Sequence, residues 1–492
     1  MNLFSKTTFF FFFVLAIVPL HATIKLPAII GSNMVIQRDA SVALWGWAEP
    51  NEKIDIKLSW NDQIISIHAD VEGVWKTTVK TTKSKAPQSI RLTGQDTTIN
   101  LENILFGEVW LCAGQSNMEQ PLRGFSGQPT YHYLETLARA KNPKLRLFTV
   151  NHVGATTPQK DFDSVKHWQE ASTANSASFS AVAYFFGQQL QEILDVPVGL
   201  IQVTWGGTAV QSWMSKESLT PYQKIKLDTL QLNKENNSTR TIRQLPTVLF
   251  NGMINPVIPY TIKGTLWYQG ESNRLEPSLY KQLFPAMVKD WRSRWNMGDF
   301  PFYYVQIAPY LYDRRNDYFN EVENAAFIRE AQLECLDIIP NTGMTVTMDL
   351  GSSKTIHPPQ KKEVADRLLY IALNKTYGLS EIDGTGPMYK SHEIKDGGIL
   401  LHFNHVEPTG LYSYTNLEGF EIAGEDRVFY PANAIFKGVS RQVFVESKRV
   451  PNPVAVRYAW RNWMVGTLLD ANLLPSSSFR TDRWNNASQA KE

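Results

Sequence analysis

Residues 107–119 read Gly-Glu-Val-Trp-Leu-Cys-Ala-Gly-Gln-Ser-Asn-Met-Glu, an apolar run that stops at a glycine and a polar turn. Val109–Cys112 has the composition of a buried strand, and Gly114 permits a tight bend after it. The bend places Ser116 beyond the end of the strand, where a chain exposes a nucleophile, with the amide of Gln115 beside it. Because a serine hydroxyl is inert near neutral pH, this interpretation also requires a base and oxyanion donors elsewhere in the chain.

From about residue 106 onward, apolar strands alternate with segments of helical spacing. The predicted strands are Leu200–Trp205, Lys263–Tyr268, Phe302–Ala308 and Met344–Asp349, and the predicted helices are Phe179–Leu194, Leu279–Trp295, Glu321–Asp337 and Lys361–Asn374. Such alternation predicts an α/β fold with a parallel sheet, helices on both faces and functional residues at the carboxyl ends of strands. We assign this domain to residues 106–385. Within it, the polar stretch Leu219–Leu245 is either a helical insertion or a surface excursion.

Short strands separated by turn signals flank this domain on both sides. Those before it are Val42–Trp47, Ile54–Trp60, Ile64–Val71, Val74–Thr81 and Ser89–Thr93, and those after it are Ile399–Phe403, Gly419–Ile422, Val428–Pro431, Gln442–Val445 and Val454–Trp460. Strands at this spacing are typical of small β-sandwiches. We therefore predict an N-terminal β-sandwich domain over 23–105 and a C-terminal β module over 386–492.

Composition limits the classes of function. A chain of 492 residues is long enough for two or three domains. Its 49 basic and 47 acidic residues give a net charge of +2, with no block of like charge, so a nucleic-acid-binding function is not expected. The 14 Trp and 19 Tyr residues fit β-rich packing or surfaces that face carbohydrate.

The first 22 residues have the pattern of a secretory signal peptide. Lys6 supplies a positive charge, Phe9–Leu20 is a twelve-residue apolar run, and Leu20-His21-Ala22 ends it with a small residue. The run is too short to span a bilayer comfortably, and no later stretch approaches that length. We therefore expect cleavage before Thr23 and a secreted or periplasmic protein without a membrane span.

Cysteine usage points to no metal site. The chain has two cysteines, Cys112 and Cys335, and no Cys-x-x-Cys motif or Cys/His cluster. We expect two buried thiols that pack as small apolar residues, with one disulfide between them as the alternative. Neither a metal nor a cofactor is expected.

Four segments at or near predicted strand ends carry groups suited to ester hydrolysis. They are Gly114-Gln115-Ser116-Asn117, Trp205-Gly206-Gly207-Thr208, Trp267-Tyr268-Gln269-Gly270-Glu271-Ser272-Asn273 and Ile356-His357-Pro358. Each segment alone is a common turn or loop. Together they supply a nucleophile, glycines that let a backbone N–H approach a substrate oxygen, side-chain amides and a base.

With these segments the chain resembles the SGNH hydrolase superfamily, specifically the sialate O-acetylesterase family of carbohydrate esterases. Other stretches resemble the family too: Asn33-Met-Val-Ile-Gln-Arg38, Trp45-Gly-Trp47, Phe250-Asn-Gly-Met-Ile254 and Pro340-Asn-Thr-Gly343. The resemblance covers nearly the whole chain after the signal peptide. It implies an SGNH-hydrolase-like, flavodoxin-like sheet flanked by β modules, and an esterase that acts on an acetylated sugar or glycan.

The resemblance also implies roles for individual residues. Ser116 would attack the acetyl carbonyl, and His357 would take its proton and return it to the departing sugar hydroxyl. The backbone N–H groups of Ser116 and Gly207 would form part of the oxyanion hole. A side-chain amide should complete it, and here either Gln269 or Asn273 can donate; we favour Gln269 because it lies directly at the strand end.

The sequence leaves alternatives for two further assignments, the group that orients His357 and the role of Glu271. The superfamily often places an aspartate three residues before the histidine, but this chain has Lys354 there. Asp349 is the nearest acid, and a backbone carbonyl that orients His357 in a dyad is the alternative. We assign Gln115 and Glu271 to substrate binding, with Glu271 either accepting from a sugar hydroxyl or orienting a neighbour.

The substrate is less clearly marked by the sequence. An arginine fork would suit a sialic acid carboxylate, and aromatic rings would suit sugar faces. The candidates are Arg123, Arg274, Arg314, Arg315, Trp205, Trp213, Trp267 and Tyr268. Alternatives to a sialate esterase are an esterase acting on another acetylated glycan such as xylan, a carbohydrate-binding protein with a dead central domain, and a glycosidase using Asp349 with Glu271.

Overall fold

The computed structural model describes residues 24–162, 165–227, 242–312, 324–406, 410–485 and 487–489. The predicted signal peptide, Arg314 and Arg315 lie outside the described residues. Within these ranges no helix is both long and apolar enough to cross a membrane.

The N-terminal part of the chain is built from β-strands, most of which pair antiparallel. Its strands are β1 (Val35–Gln37), β2 (Ser41–Trp47), β3 (Lys53–Leu58), β4 (Asn61–His68), β5 (Val74–Lys80), β6 (Gln88–Thr93) and β7 (Thr98–Gly114). Strand β2 pairs with β5, while β3 pairs with both β4 and β6. The alternate residues of these strands that point inward share one apolar core, as expected for a β-sandwich.

Strand β7 is continuous across the position where we placed a domain boundary. Its first half pairs with β6 antiparallel, and its second half pairs with β10 and β11 (defined below) parallel. Residues 105 and 106 are consecutive members of this 17-residue strand. The N-terminal β structure and the central sheet are therefore joined by one rigid strand instead of a loop linker.

The central sheet confirms the predicted α/β class. It adds β8 (Asn142–Val150), β9 (Val165–Ala171), β10 (Val198–Thr204), β11 (Gly264–Tyr268), β12 (Phe302–Val305) and β13 (Thr342–Thr345). The strand order is β13-β12-β11-β7-β10-β8-β9. All pairings are parallel except β8 with β9, so β9 is an antiparallel edge strand. The sequence analysis did not predict β8 or β9.

Helices cover both faces of this sheet. The helices are α1 (Ser116–Glu119), α2 (Tyr133–Ala138), α3 (Thr173–Ser176), α4 (Ala181–Leu194), α5 (Lys216–Leu219), α6 (Pro277–Trp295), α7 (Ala326–Glu334) and α8 (Lys361–Lys375), with short 3-10 or π turns at Val210–Trp213, Phe250–Ile254 and Glu271–Asn273. Alternate residues of β7 point to opposite faces of the sheet. On one face Trp110 and Cys112 pack in a core with α4 and α8. On the other face Val109 and Leu111 pack in a core with α6 and α7.

The chain returns to β structure after α8, as predicted. The strands are β14 (Met388–Lys395), β15 (Gly398–Asn404), β16 (Leu411–Tyr412), β17 (Phe420–Ala423), β18 (Val428–Pro431), β19 (Asn433–Lys437), β20 (Gln442–Glu446), β21 (Ala455–Tyr458), β22 (Leu469–Asp470), β23 (Phe479–Arg480) and β24 (Ser488–Gln489). They form one four-stranded sheet, one five-stranded sheet and a two-stranded pair.

The two cysteines are free thiols. Cys112 and Cys335 are both buried, and they belong to cores on opposite faces of the central sheet. The sheet between them rules out the disulfide that the sequence left as an alternative.

Candidate active site

Three strand ends meet where the sequence placed the chemistry. In the sheet register Gly114, at the end of β7, lies beside Thr204 of β10 and Tyr268 of β11. Gly114 has φ +139°, and a Cβ there would lie 2.2 Å from the Tyr268 carbonyl oxygen. Only glycine fits this close approach, which lets the chain turn directly into α1.

Ser116 and His357 are in direct contact. Ser116 is the first residue of α1, and its Oγ lies 2.7 Å from Nε2 of His357, which comes from the loop before α8. Both side chains are partly exposed. A hydroxyl within hydrogen-bond distance of an imidazole is the arrangement needed to activate a serine. The structure therefore brings together two residues that are 241 positions apart in the chain.

The other imidazole nitrogen contacts an amide. His357 Nδ1 lies 2.5 Å from Oε1 of Gln128, and the Thr355 hydroxyl donates to the same oxygen at 3.0 Å. Because an amide oxygen can only accept, Nδ1 carries the proton and the lone pair of Nε2 faces Ser116. Gln128 was missed by the sequence analysis, since nothing in the turn Phe-Ser-Gly-Gln-Pro of residues 125–129 marks it.

The predicted support of His357 by Asp349 is wrong. Both carboxylate oxygens of Asp349 accept from the Arg367 guanidinium of α8, at 2.8 and 2.6 Å. Arg367 is also tied to the Val346 carbonyl, so the loop after β13 is fixed in this position. Asp349 is thus paired with Arg367, and Gln128 holds the position at His357 Nδ1 that the acid would take.

The electrostatic surroundings favour a neutral histidine. Burial, together with the positive charge of Lys361, lowers the pKa of His357 to about 4. Without a neighbouring carboxylate, nothing opposes this shift. The imidazole is thus unprotonated, and able to act as a base, in all but strongly acidic solution.

Two backbone N–H groups are available near the nucleophile. The N–H of Ser116 begins a helix and has no intrahelical partner. Gly207 has φ +71°, and among the described residues its N–H makes no hydrogen bond. The neighbouring Gly206 N–H is already used, because it donates to the carboxylate of Glu119. In these two segments the N–H groups of Ser116 and Gly207 have no hydrogen-bond partner among the described residues, so their role as oxyanion donors stays a prediction.

The amides predicted to complete the oxyanion hole have other partners. Both hydrogens of the Gln269 amide are committed, to the Thr208 carbonyl at 3.1 Å and to Asn273 Oδ1 at 2.8 Å. The Asn273 amide donates to Gln211 and accepts from the Val210 N–H. Gln269 is 0% exposed and Asn273 2% exposed. These buried amides hold the segment after Gly207 in place through hydrogen bonds and do not line the site. The prediction that Gln269 or Asn273 donates to the oxyanion is therefore wrong.

The residues assigned to substrate binding are also interior. Gln115 is buried, and its Oε1 accepts from the N–H groups of Gly270 and Ser272 at 3.3 and 3.4 Å. Glu271 is buried too and accepts from the Asn117 amide. Burial raises the pKa of Glu271. Of the roles left open for Glu271, the structure supports orientation of a neighbour and not contact with a sugar.

A cavity of about 420 Å³ lies close to the Ser116–His357 pair, although neither of these two residues lines it. Phe125 lines it and also packs edge-on against the His357 ring, at 5.4 Å between centroids. Two exposed cations, Arg123 and Lys166, border it, and no described carboxylate forms an ion pair with either of them. Glu119 also lines it but is held by Gly206 and by the His152 ring. The cavity is thus polar, and two cations and the Glu119 carboxylate line it.

Most of the predicted sugar-stacking rings are not available. Trp213, Trp267 and Tyr268 are fully buried, and Trp205 is stacked against His152 at 4.6 Å between ring centroids. Arg274 packs over the ring of Tyr312.

Among the described residues, no group of three or more His, Cys, Asp or Glu side chains is arranged to hold a metal ion.

The chain is similar to known proteins over most of its length. The family model described as "Carbohydrate esterase, sialic acid-specific acetylesterase" matches residues 106–365. The sialate O-acetylesterase of Mus musculus is 28% identical to this chain, and the match covers 88% of this chain and 89% of the mouse protein. The sialate O-acetylesterase of Homo sapiens is 27% identical, and the match covers 88% of this chain and 87% of the human protein. A solved carbohydrate acetylesterase from Xanthomonas citri is 32% identical, with a TM-score of 0.84, and the match covers 94% of this chain and all of that one.

Proposed function

The chain belongs to the sialic acid-specific acetylesterase family of carbohydrate esterases, and from that premise we propose that it removes O-acetyl groups from sialic acids with Ser116 as the nucleophile. The observation that carries the proposal is the 2.7 Å contact between Ser116 Oγ and His357 Nε2 at the carboxyl ends of the strands. A catalytically dead carbohydrate-binding protein has no need of this contact. A glycosidase pair is not supported either, because Asp349 is tied to Arg367 and Glu271 is buried.

Acylation follows from the positions of these groups. Ser116 Oγ attacks the acetyl carbonyl while His357 Nε2 takes the hydroxyl proton. The negative charge that develops on the carbonyl oxygen is stabilised by the N–H groups of Ser116 and Gly207. When the tetrahedral intermediate collapses, the sugar oxygen leaves and takes the proton from Nε2. The products are the free sugar hydroxyl and an acetyl ester on Ser116.

Deacylation repeats these steps with water. His357 Nε2 removes a proton from a water molecule, whose oxygen attacks the acetyl carbonyl. Collapse returns the proton to Ser116 Oγ and releases acetate. Throughout, the Gln128 carbonyl holds the Nδ1 proton, so Nε2 remains the nitrogen that exchanges protons.

A direct test compares Ser116→Ala with the wild type on an aryl acetate and on O-acetylated sialic acid. We expect loss of at least about 1,000-fold in kcat/KM with unchanged folding. A matched control is Ser391→Ala, an exposed serine on β14 that should leave the rate unchanged. Equal rates for Ser116→Ala and wild type would refute the nucleophile assignment.

The two exposed cations of this cavity, Arg123 and Lys166, support an acidic sugar as the substrate. An arginine fork pairs with a carboxylate through two parallel hydrogen bonds, and Arg123 lines the same cavity as Phe125, which packs against the His357 ring. We expect Arg123→Ala to raise KM for O-acetylated sialic acid about 10- to 100-fold, as for loss of a charge-assisted hydrogen bond. KM for a neutral acetylated sugar should not change.

Acetylated xylan is the competing substrate, since the similar Xanthomonas citri protein is described only as a carbohydrate acetylesterase. Acetate release from O-acetylated sialic acid and from acetylxylan, measured side by side, decides between the two. Release from acetylxylan alone would end the sialate assignment and leave the esterase chemistry intact.

We further propose that the protein is exported. The support is the charged and apolar pattern of residues 1–22. The intact mass of the protein recovered from an exporting host should correspond to a chain that starts near Thr23. A mass that includes Met1–Ala22 would contradict this.

A further inference from the structure

The glycine turn after β10, Gly206–Gly207, lies directly against the nucleophile. A Cβ added to Gly206 would be 3.1 Å from the Cβ of Ser116, so the two backbones are in close contact. The strand is anchored just before the turn, because the Trp205 N–H donates to the Gly114 carbonyl at 3.0 Å. Glycine has the widest backbone freedom, so a turn of two glycines needs further contacts to present an N–H in one direction.

Glu119 supplies such a contact. Its Oε2 accepts a hydrogen bond from the Gly206 N–H, and a carboxylate makes this bond stronger than a neutral oxygen would. Glu119 is the last residue of α1, and Ser116 is the first. The nucleophile and the carboxylate that holds the glycine turn therefore belong to the same short helix, which fixes one relative to the other.

His152, in the loop after β8, holds Glu119 in turn. Its Nε2 lies 3.0 Å from Glu119 Oε1. The imidazole also stacks on the ring of Trp205, with 4.6 Å between centroids and 5° between the ring planes. Because Trp205 directly precedes Gly206, these contacts form a closed loop from Trp205 through His152 and Glu119 back to Gly206. The turn is thus held from both the side chain and the backbone.

The charged groups around this turn indicate what Glu119 can contribute. His152 faces the carboxylate, and Arg243 lies against Gly207, with Nη2 3.1 Å from the position of a Cβ there. Arg123 and Lys166 line the same cavity as Glu119. A negative charge near the ester would by itself oppose the negative charge that develops on the carbonyl oxygen. The useful contribution of Glu119 is therefore its hydrogen bond and not its charge.

This hydrogen bond also determines which N–H is left for a substrate. The Gly206 N–H is directed to Glu119, whereas the N–H of Gly207, which has φ +71°, has no partner among the described residues. Without the acceptor, the peptide group before Gly206 is free to rotate, and the direction of the next N–H changes with it.

We propose that Glu119, held by His152, is a positioning residue that fixes the glycine turn so that the Gly207 N–H faces the carbonyl oxygen of the ester that Ser116 attacks. This role rests on the proposed function, since it concerns the transition state of that reaction. It assigns a task to two cavity residues that take no part in the proton transfers.

Two substitutions of Glu119 separate alignment from stability. Glu119→Ala removes the acceptor and should lower kcat for an aryl acetate about 10- to 100-fold with KM unchanged, as for loss of a charge-assisted hydrogen bond. Glu119→Gln keeps an oxygen that accepts from Gly206 and should stay within about fivefold of the wild-type kcat. The matched control is Glu393→Ala on β14, which removes a carboxylate that also lies 3.0 Å from a histidine Nε2, that of His402, and should leave kcat unchanged.

Binding of phenylboronic acid gives a measurement that a purely structural role would not change. Its boron takes Ser116 Oγ as a fourth ligand, and one boron-bound oxygen then occupies the place of the oxyanion. Such a transition-state analogue should lose affinity for Glu119→Ala by about the factor by which kcat falls, and Glu119→Gln should restore the affinity.

His152→Ala provides a second measurement if Glu119→Ala does not fold, because the His152 side chain is 43% exposed. It should lower kcat about threefold, as for loss of a partly exposed pair. The double variant should be no slower than Glu119→Ala, since His152 acts through Glu119.

A folded Glu119→Ala with the wild-type kcat and boronic acid affinity would overturn the inference, and so would losses of kcat that add in the double variant. If Glu119→Ala does not fold, His152→Ala with the wild-type kcat and boronic acid affinity would overturn it. A wild type that hydrolyses no ester would refute the proposed function instead. The boronic acid comparison still decides the role of Glu119 in that case, because this binding needs no turnover.

Discussion

At the scale of single residues, the site differs from a serine triad in its third member. Gln128 fixes the tautomer of His357 through an uncharged amide oxygen, where a triad would place a carboxylate. An amide orients the ring but adds no negative charge to stabilise the imidazolium. Burial and the positive charge of Lys361 lower the pKa of His357 to about 4, so the resulting base is weak in the ground state and stays neutral down to low pH.

The contact of Gln128 with His357 predicts the behaviour of Gln128 variants. Gln128→Ala should lower kcat about 10- to 100-fold with little change in KM, since one strong hydrogen bond to the base is lost. Gln128→Glu should place a carboxylate beside Nδ1. Its negative charge should raise the pKa of His357, so that the acid limb of the pH–rate profile moves to higher pH. Rates on an aryl acetate between pH 3.5 and 8 measure both effects.

The control for these variants is Gln63→Ala, an exposed glutamine on β4. It should reproduce the wild-type profile, in which kcat/KM falls only as the pH approaches 4. A Gln128→Ala enzyme with wild-type kcat, or a wild-type acid limb near the usual histidine pKa of about 6.5, would show that the amide does not orient a buried neutral base.

At the scale of elements, the sequence predicted the strands that carry the site and missed what supports them. β10 and β11 are apolar runs that end at glycines or amides, so their pattern was visible. The edge strand β9 alternates buried and exposed residues irregularly and carries no such signal. The contact between Gln128 and His357 joins positions that are 229 residues apart in the chain. Asp349 was predicted as the partner of His357 instead, because it is the nearest acid in the sequence. Such a contact depends on how loops fold over the sheet, which no local pattern encodes.

The turn after β7 gives an element-scale prediction. Gly114→Ala would combine a positive φ with a Cβ 2.2 Å from a backbone oxygen of β11, so the two central strands must separate. We expect a loss of about 3 kcal/mol in the free energy of unfolding, measured with urea. The control, Gly31→Ala, has no atom within 4 Å of its new methyl group. Equal stability of both variants would contradict the close approach.

At the scale of the whole molecule, the sequence predicted three parts, but not how they are joined. Strand β7 runs through the first junction. At the second, the buried Arg329 of α7 donates to Ser478 and to the carbonyls of Ala459 and Arg461 in the C-terminal module. Interior hydrogen bonds of this kind are specified by tertiary packing, so composition and periodicity could not reveal them.

Arg329 therefore provides a test of how firmly the C-terminal module is attached. Arg329→Met leaves its buried acceptors without a donor and should lower the free energy of unfolding by about 2–4 kcal/mol. Arg483→Met is the control, because that side chain is 75% exposed in its ion pairs with Glu330 and Glu334 and should change stability by less than about 0.5 kcal/mol. Similar losses in both variants would mean that the buried contacts do not secure the module.

Covalent trapping of the nucleophile tests the roles of Ser116 and His357. The wild type is treated with a p-nitrophenyl dialkyl phosphate, which phosphorylates activated serines, and the modified peptide is identified by mass spectrometry. We predict one adduct per chain, on Ser116, formed in step with loss of esterase activity and absent from Ser116→Ala and His357→Ala. Full inactivation with the adduct on another residue, or equal labelling of Ser116→Ala, would contradict the assignment of Ser116 and His357 as the catalytic pair.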